Sequence, residues 1–219
     1  MMSNMYYNTV NELLKNSLQI LMAPEVFKDF RLVGGTSLSL QLGHRMSIDI
    51  DLFSDAIYRS IDFNELDIFL RSAFTYVDSS NDLDPAMGKS YLIGTDKDNT
   101  VKLDIYYTDT FIRPVLTVEA IRLATIEEII AMKIDVVHRG GRKKDFWDLH
   151  ECLSNYGIGK MLELHEERYP YSHDRDLILK NFIDFTSADD DFDPICLQGK
   201  YWEFIKEDIE EAVNKYQKS

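Results

Sequence analysis

The stretch Leu32–Phe53, LVGGTSLSLQLGHRMSIDIDLF, sets two glycines, an arginine and two aspartates between strongly apolar flanks. Its last third, SIDIDLF, alternates with period two and reads as a β-strand. Residues at i and i+2 of a strand face the same way. Asp49 and Asp51 therefore share one face, while Ile48, Ile50 and Leu52 share the other and are expected to pack on a core. Two carboxylates about 4 Å apart repel by roughly 4 kcal/mol at an effective dielectric near 20. A divalent cation reverses that sign, and Mg²⁺ is bound through one or two carboxylates together with substrate phosphates. An isolated pair of this kind is also compatible with a merely solvated face, so its surroundings decide.

Upstream, Arg31-Leu32-Val33 reads as β-like, Gly34-Gly35 as a turn, and the following residues as a helix with Thr36 near its N-cap and Gly43 at its end. A glycine turn opening a helix brings backbone N–H groups to an anion, although the spacing is neither the P-loop nor the dinucleotide fingerprint. His44 and Arg45 are candidate phosphate contacts, and Ser47 falls on the Asp49 face by parity. Downstream, Val101–Tyr106 repeats the strand pattern, with Asp104 opposite Val101, Leu103 and Ile105. Asp104 can complete a carboxylate cluster of the kind used in phosphoryl transfer, or it can pair with Lys102 or with a neighbouring strand.

The remaining pattern is mostly helical. Residues 5–22, with Val10, Leu13, Leu14, Leu18 and Leu21 at helical spacing, predict a first helix, and 61–74 a second. Asp-Lys-Asp-Asn at 96–99 predicts a hairpin joining two strands. Helices are expected at 125–139 and 143–155, separated by the basic segment His138–Lys144, and a polar, acidic loop at 186–194. In the first of these helices, Lys133 borders the apolar stripe of Ile126, Ile129, Ile130 and Val137. It either snorkels to water or reaches an anion. Asp145 and Asp148 lie at i, i+3, placed to cap the helix, to pair with Lys144, to orient Lys133 or to sit near a functional cleft.

At 219 residues the chain is one large domain or two modest lobes, and needs no disulfide or structural metal to fold. Its two cysteines have no metal-ligand spacing, which points to reduced thiols. No basic-then-apolar leader opens the sequence and no apolar run approaches the length of a membrane span. A cytoplasmic location is expected. A net charge of −14 disfavours nonspecific binding to nucleic acid or anionic membrane, the 138–144 segment being the one local exception.

The succession GGT-x-L-x-L-x-x-GHR-x-S-x-D-I-D-L-F, then L-D on a strand, E-x-x-x-x-K, and R-K-K-D-x-x-D-L resembles the AbiEii/AbiGii toxin family of nucleotidyltransferases, within the polymerase-β-like superfamily. The resemblance runs from about Arg31 to Glu151. It implies an α+β fold, a small mixed sheet flanked by helices with a mostly helical C-terminal half, divided as a catalytic core over 1–120 and a helical lobe over 121–219. It implies Mg²⁺- or Mn²⁺-dependent transfer of a nucleotide from an NTP to an acceptor. By the same resemblance Gly34, Gly35 and Thr36 match the phosphate-binding turn, with Arg45 and Ser47 beside it. Asp49 and Asp51 match the metal pair, and Asp104 the third acid that helps activate the acceptor. Lys133 matches a phosphate-contacting lysine, and Asp145 or Asp148 the acid of the fourth motif. Glu128 stands where the family more often has Asp, and Thr36 where the wider superfamily has Ser. A toxin–antitoxin or phage-defence role is implied, with a cognate antitoxin as partner and tRNA or another RNA as acceptor. Two rivals stay open: a nucleotide-binding module without transferase activity, and transfer to a cationic small molecule as in aminoglycoside-modifying relatives.

Overall fold

A computed structural model describes residues 5–80 and 85–218 and divides the chain into two compact units. The first comprises Met1–Gly43 with Ser47–Ala124, and the second His44–Met46 with Thr125–Ser219.

In the first unit, α1 (Glu12–Met22) begins where the Asn11 side chain accepts from the Leu14 N–H at 2.8 Å. Val10 lies before it, after a single 3-10 turn at Tyr7–Thr9, so the predicted first helix starts later than its apolar spacing suggests. The elements that follow are β1 (Arg31–Leu32), α2 (Gly34–Leu42), β2 (Asp49–Ser54), α3 (Phe63–Ala73), β3 (Tyr76–Ser79), β4 (Gly88–Asp96), β5 (Asn99–Tyr107), β6 (Leu116–Val118) and β7 (Ile121–Leu123). They form a seven-stranded mixed sheet in the order β3-β4-β5-β2-β1-β7-β6, with β2–β5 and β1–β7 parallel. The β4–β5 hairpin turns at Lys97-Asp98 as the sequence predicts, and Asp96 Oδ1 accepts from the N–H groups of Asp98 and Asn99.

Along β2 the burial alternates, with Ile50, Leu52 and Ser54 inside and Asp49, Asp51 and Phe53 half-exposed on the other face. The apolar face meets Leu14, Leu18 and Leu21 of α1 and Leu103 and Ile105 of β5 in one core, all fully buried. Ile48 does not join it and is 68% exposed. The strand begins only at Asp49, and a residue outside the pleat is not bound by its parity.

The second unit is helical: α4 (Ile126–His138), α5 (Lys143–Arg168), α6 (Arg175–Phe182), α7 (Thr186–Asp189) and α8 (Trp202–Lys218). Thr125 caps α4 by accepting from the Glu128 N–H. The helix predicted at 143–155 continues to Arg168 through a kink at Gly157, where φ is 57° and ψ 163°. The expected loop at 186–194 opens with the short α7. Phe146 of α5 packs with Phe185 and with Trp202 of α8, Phe185 also meets Trp202, and the Trp147 and Trp202 indoles stack 6.4 Å apart. Glu128 and Arg168 form a fully buried ion pair joining α4 to α5. Among the described residues, no helix is long and apolar enough to cross a membrane.

Candidate functional site

The sheet register decides how the acids stand. In the parallel β2–β5 pair, Asp51 is the partner of Asp104 and Asp49 the partner of Lys102. Paired residues of neighbouring strands project to the same face, so Asp104 stands beside Asp51 on the face that Asp49 shares. Lys102 belongs to the same row. Its Nζ lies 2.6 Å from Asp104 Oδ2. The hydrogen bond to Asp104 and the charges of Asp104, Asp49 and Asp51 raise the Lys102 amine above its usual range, against a smaller effect of burial. A cation is thus already drawn to the carboxylates. From β4, opposite Asp104 in register, Ser90 donates to Asp104 Oδ1 at 2.6 Å.

Gly34 explains the glycine pair. It has φ +67°, and a Cβ built there would come 2.5 Å from Asp51 Oδ2. The helix begins at Gly34 itself, with Val33 as N-cap, so Thr36 lies inside the first turn rather than near the cap. Val33 has no polar side chain and makes no side-chain cap bond, which leaves the amino end of α2 without that form of satisfaction. The buried Thr36 hydroxyl donates to the backbone carbonyl of Asp49 and lies 2.7 Å from Ser47 Oγ. Thr36 and Ser47 thereby tie the start of the acidic strand to α2. Gly34, Gly35, Thr36, Ser47, Asp49, Asp51 and Asp104 all belong to the first unit.

The second unit gathers the other candidates into a buried ion network. Asp148, fully buried, accepts through Oδ1 from His44 Nε2 at 2.8 Å and Arg45 Nε at 2.7 Å. Its Oδ2 accepts from Arg45 Nη2 at 2.7 Å and Lys133 Nζ at 2.8 Å. Lys133 also bonds Asp145 Oδ1 at 2.5 Å, and Asp145 Oδ2 accepts from the Arg142 N–H, the capping geometry of α5. Burial alone would raise the Asp148 carboxyl, but the charges of Lys133 and Arg45 outweigh it and hold the group well below the usual carboxylate range. Asp145 is lowered the same way, burial being overcome chiefly by Lys133. Of the roles the spacing left open for Asp145 and Asp148, the geometry realises capping and the orientation of Lys133. His44 and Arg45, expected to meet phosphate, turn these donors to Asp148. Their segment docks beside 195–197 through Met46 N–H to Ile195 O and Leu197 N–H to His44 O. The 138–144 segment is partly neutralised, Arg139 pairing with Asp135 and Lys143 with Asp193.

The sequence reading missed Ser90, Arg168 and the buried His165. Among the described residues, the group of three metal-capable side chains whose ligand atoms all lie within 4.8 Å of one another is Asp135, His138 and His165.

Comparison with known proteins agrees with the fold. An uncharacterized protein of Aquifex aeolicus (strain VF5) is 25% identical over 217 residues, spanning 92% of this chain and 95% of the relative. An H. pylori protein described as a candidate nucleotidyltransferase superimposes with a TM-score of 0.61 at 23% identity, over 95% of this chain and 96% of its own. MenT4, a nucleotidyltransferase toxin from Mycobacterium tuberculosis, gives a TM-score of 0.54 at 13% identity, over 91% of this chain and 82% of its own. The family model described as nucleotidyl transferase AbiEii toxin, type IV TA system, matches residues 17–218. With nearly the whole length matched, and with the motif order, the mixed sheet and the paired acids all in place, the chain belongs to the AbiEii toxin family of nucleotidyltransferases.

Proposed function

We propose that this toxin-type nucleotidyltransferase moves a nucleoside monophosphate from an NTP to an acceptor with Mg²⁺ or Mn²⁺ held by Asp49, Asp51 and Asp104. The observation that carries the reading is the β2–β5 register, which sets Asp104 beside Asp51. The residues fit a hard dication. They are carboxylates on one half-exposed face, and the Lys102 ammonium stands among them as a natural counter-cation. When bound, the ion would neutralise the triphosphate and polarise the α-phosphoryl group.

The chain's own residues do the rest. The first turn of α2 at Gly34-Gly35-Thr36 presents N–H groups and a positive helix end suited to phosphate. Asp104, held by Ser90, orients the acceptor hydroxyl and takes its proton as the oxygen attacks the α-phosphorus and pyrophosphate leaves. Thr36 and Ser47 act by fixing the strand that carries Asp49. In the second unit, Lys133 is proposed to offer its charge to nucleotide phosphate, oriented by Asp145 and Asp148, with Arg45 completing their network. The first unit serves as catalytic core, its boundary lying at Ala124 rather than at 120 because β7 pairs with β1, and the second unit is the lobe carrying these motifs. The family description supports a cognate antitoxin and a toxin–antitoxin role.

Incubation with α-labelled NTPs, Mg²⁺ and total RNA tests the reading. Label transfer lost in Asp49→Asn and Asp51→Asn, with circular dichroism unchanged, is expected. Tight NTP binding without transfer would replace it with a binding module. The acidic surface favours one specific rival, a cationic small acceptor, since the net charge is −14 and Arg139, Arg142 and Lys143 of the 138–144 segment pair with acids. Label on an aminoglycoside or polyamine rather than RNA selects it.

A further inference from the structure

Asp135 and His138 sit one turn apart on α4, and His165 reaches them from α5 beyond the Gly157 kink. Their ligand atoms lie within 4.8 Å of one another. His165 is fully buried, and its Nε2 has no hydrogen-bond partner. That nitrogen is 3.7 Å from Asp135 Oδ1, beyond a hydrogen bond. The other ring nitrogen, Nδ1, lies 2.9 Å from His173 Nδ1, and two nitrogens so placed share one proton. With His165 as donor, its Nε2 is a bare lone pair aimed at a carboxylate oxygen. Two lone pairs in that relation repel unless a cation stands between them.

The spacing suits one. Tetrahedral Zn²⁺ has ligand bonds of about 2.0–2.2 Å, which separate its donors by roughly 3.3–3.6 Å. A ligating histidine typically donates its second N–H to a neighbouring group, the part His173 plays here. Asp135 Oδ2 is taken by the exposed Arg139, leaving Oδ1 toward His165. Imidazole and carboxylate together select zinc-class ions over Mg²⁺.

We propose that Asp135, His138 and His165 hold a zinc-class divalent ion in the helical unit, with His173 orienting the His165 ring. The ion pins α4 to the second half of α5 and is separate from the Asp49, Asp51 and Asp104 site.

The test is equilibrium dialysis of the chelator-stripped full chain against Zn²⁺, and separately against Co²⁺ for its visible absorption. One ion per chain is expected, with the Co²⁺ bands of a low-symmetry four-coordinate site. Binding should be lost in His138→Gln and in Asp135→Asn, and retained in the double variant Asp49→Asn/Asp51→Asn. His173→Ala, which removes no ligand, should weaken binding by about 10- to 100-fold. Absence of stoichiometric Zn²⁺ and of Co²⁺ bands in the wild-type chain overturns the proposal, whatever the variants do. So does binding that survives His138→Gln or disappears only with Asp49 and Asp51. Circular dichroism of each variant separates loss of a ligand from loss of fold.

Discussion

Lys102 Nζ stands 2.6 Å from Asp104 Oδ2, on the sheet face that the β2–β5 register gives to Asp49 and Asp51 as well. A tethered ammonium there eases the mutual repulsion of the carboxylates and competes with any dication that binds them. Lys102→Met removes the competitor while keeping the apolar stem. The Mg²⁺ concentration giving half-maximal transfer is expected to fall by about two- to five-fold, the scale of one half-exposed, screened charge. A Mg²⁺ titration of the variant checks it. A rise instead would mean that the ammonium helps hold the nucleotide.

Gly34 and Asp51 are coupled by space. At φ +67° an L side chain is strained, and the new Cβ would meet Asp51 Oδ2 at 2.5 Å. Gly34→Ala is expected to cost about 1–3 kcal/mol in denaturant unfolding through backbone strain. It should also reduce transfer by more than the stability loss explains, because Asp51 must swing away. Gly35→Ala, where φ is not positive, should cost less on both counts.

These relationships were unequally visible in the sequence. The shared face of Asp49 and Asp51 was legible because strand parity is local, and so was the closeness of Asp145 to Asp148 on a helix. Lys102 beside Asp104 was one of three readings left open for that acid, with a metal cluster and a neighbouring strand as the others, and the structure shows it bonded both to Lys102 and to Ser90 of β4. Ile48 escaped because parity holds only inside the strand, whose first residue is Asp49. The pairing of Asp51 with Asp104 rests on sheet register, which no local pattern encodes. Arg45 looked like a phosphate ligand because its partner, Asp148, comes from a helix more than a hundred residues later. The His165 cluster was invisible for the same reason, since α5 reads as ending well before the residue that completes it. Charge and parity find side chains that face one way. Tertiary packing decides what they face.

Asp148 neutralises two cations at once. Asp148→Ala would remove the carboxylate that Arg45 and Lys133 share in the buried network, leaving Lys133 with Asp145. Breaking a buried ion pair from one side costs about 3–5 kcal/mol. Urea unfolding is expected to show a loss of that order. A loss below about 1 kcal/mol would mean the network is not closed as described.

The same network sets the acid limit of the helical unit. The Asp145 and Asp148 carboxyls lie below their ordinary range in the folded chain, burial being outweighed by Lys133 and, for Asp148, also Arg45. Groups lowered on folding contribute stability that is complete above their unfolded pKa of about 4 and is lost as pH falls through the folded values. Lys133, raised by Asp148 and Asp145 against the effect of burial, contributes fully below the ordinary lysine range and loses that share only as pH climbs past it. Stability should therefore be flat with respect to these groups from about pH 5 to pH 9 and fall steeply below about pH 4. The chain has two tryptophans, Trp147 and Trp202, both in the helical unit, so indole fluorescence reports its unfolding alone. Urea midpoints followed by fluorescence should drop as pH falls below the carboxylate range in the wild-type chain. In Asp148→Asn the midpoint should start lower and depend less on pH, because one of the two depressed carboxyls is gone. An equal acid slope in both proteins would assign the transition to other carboxylates.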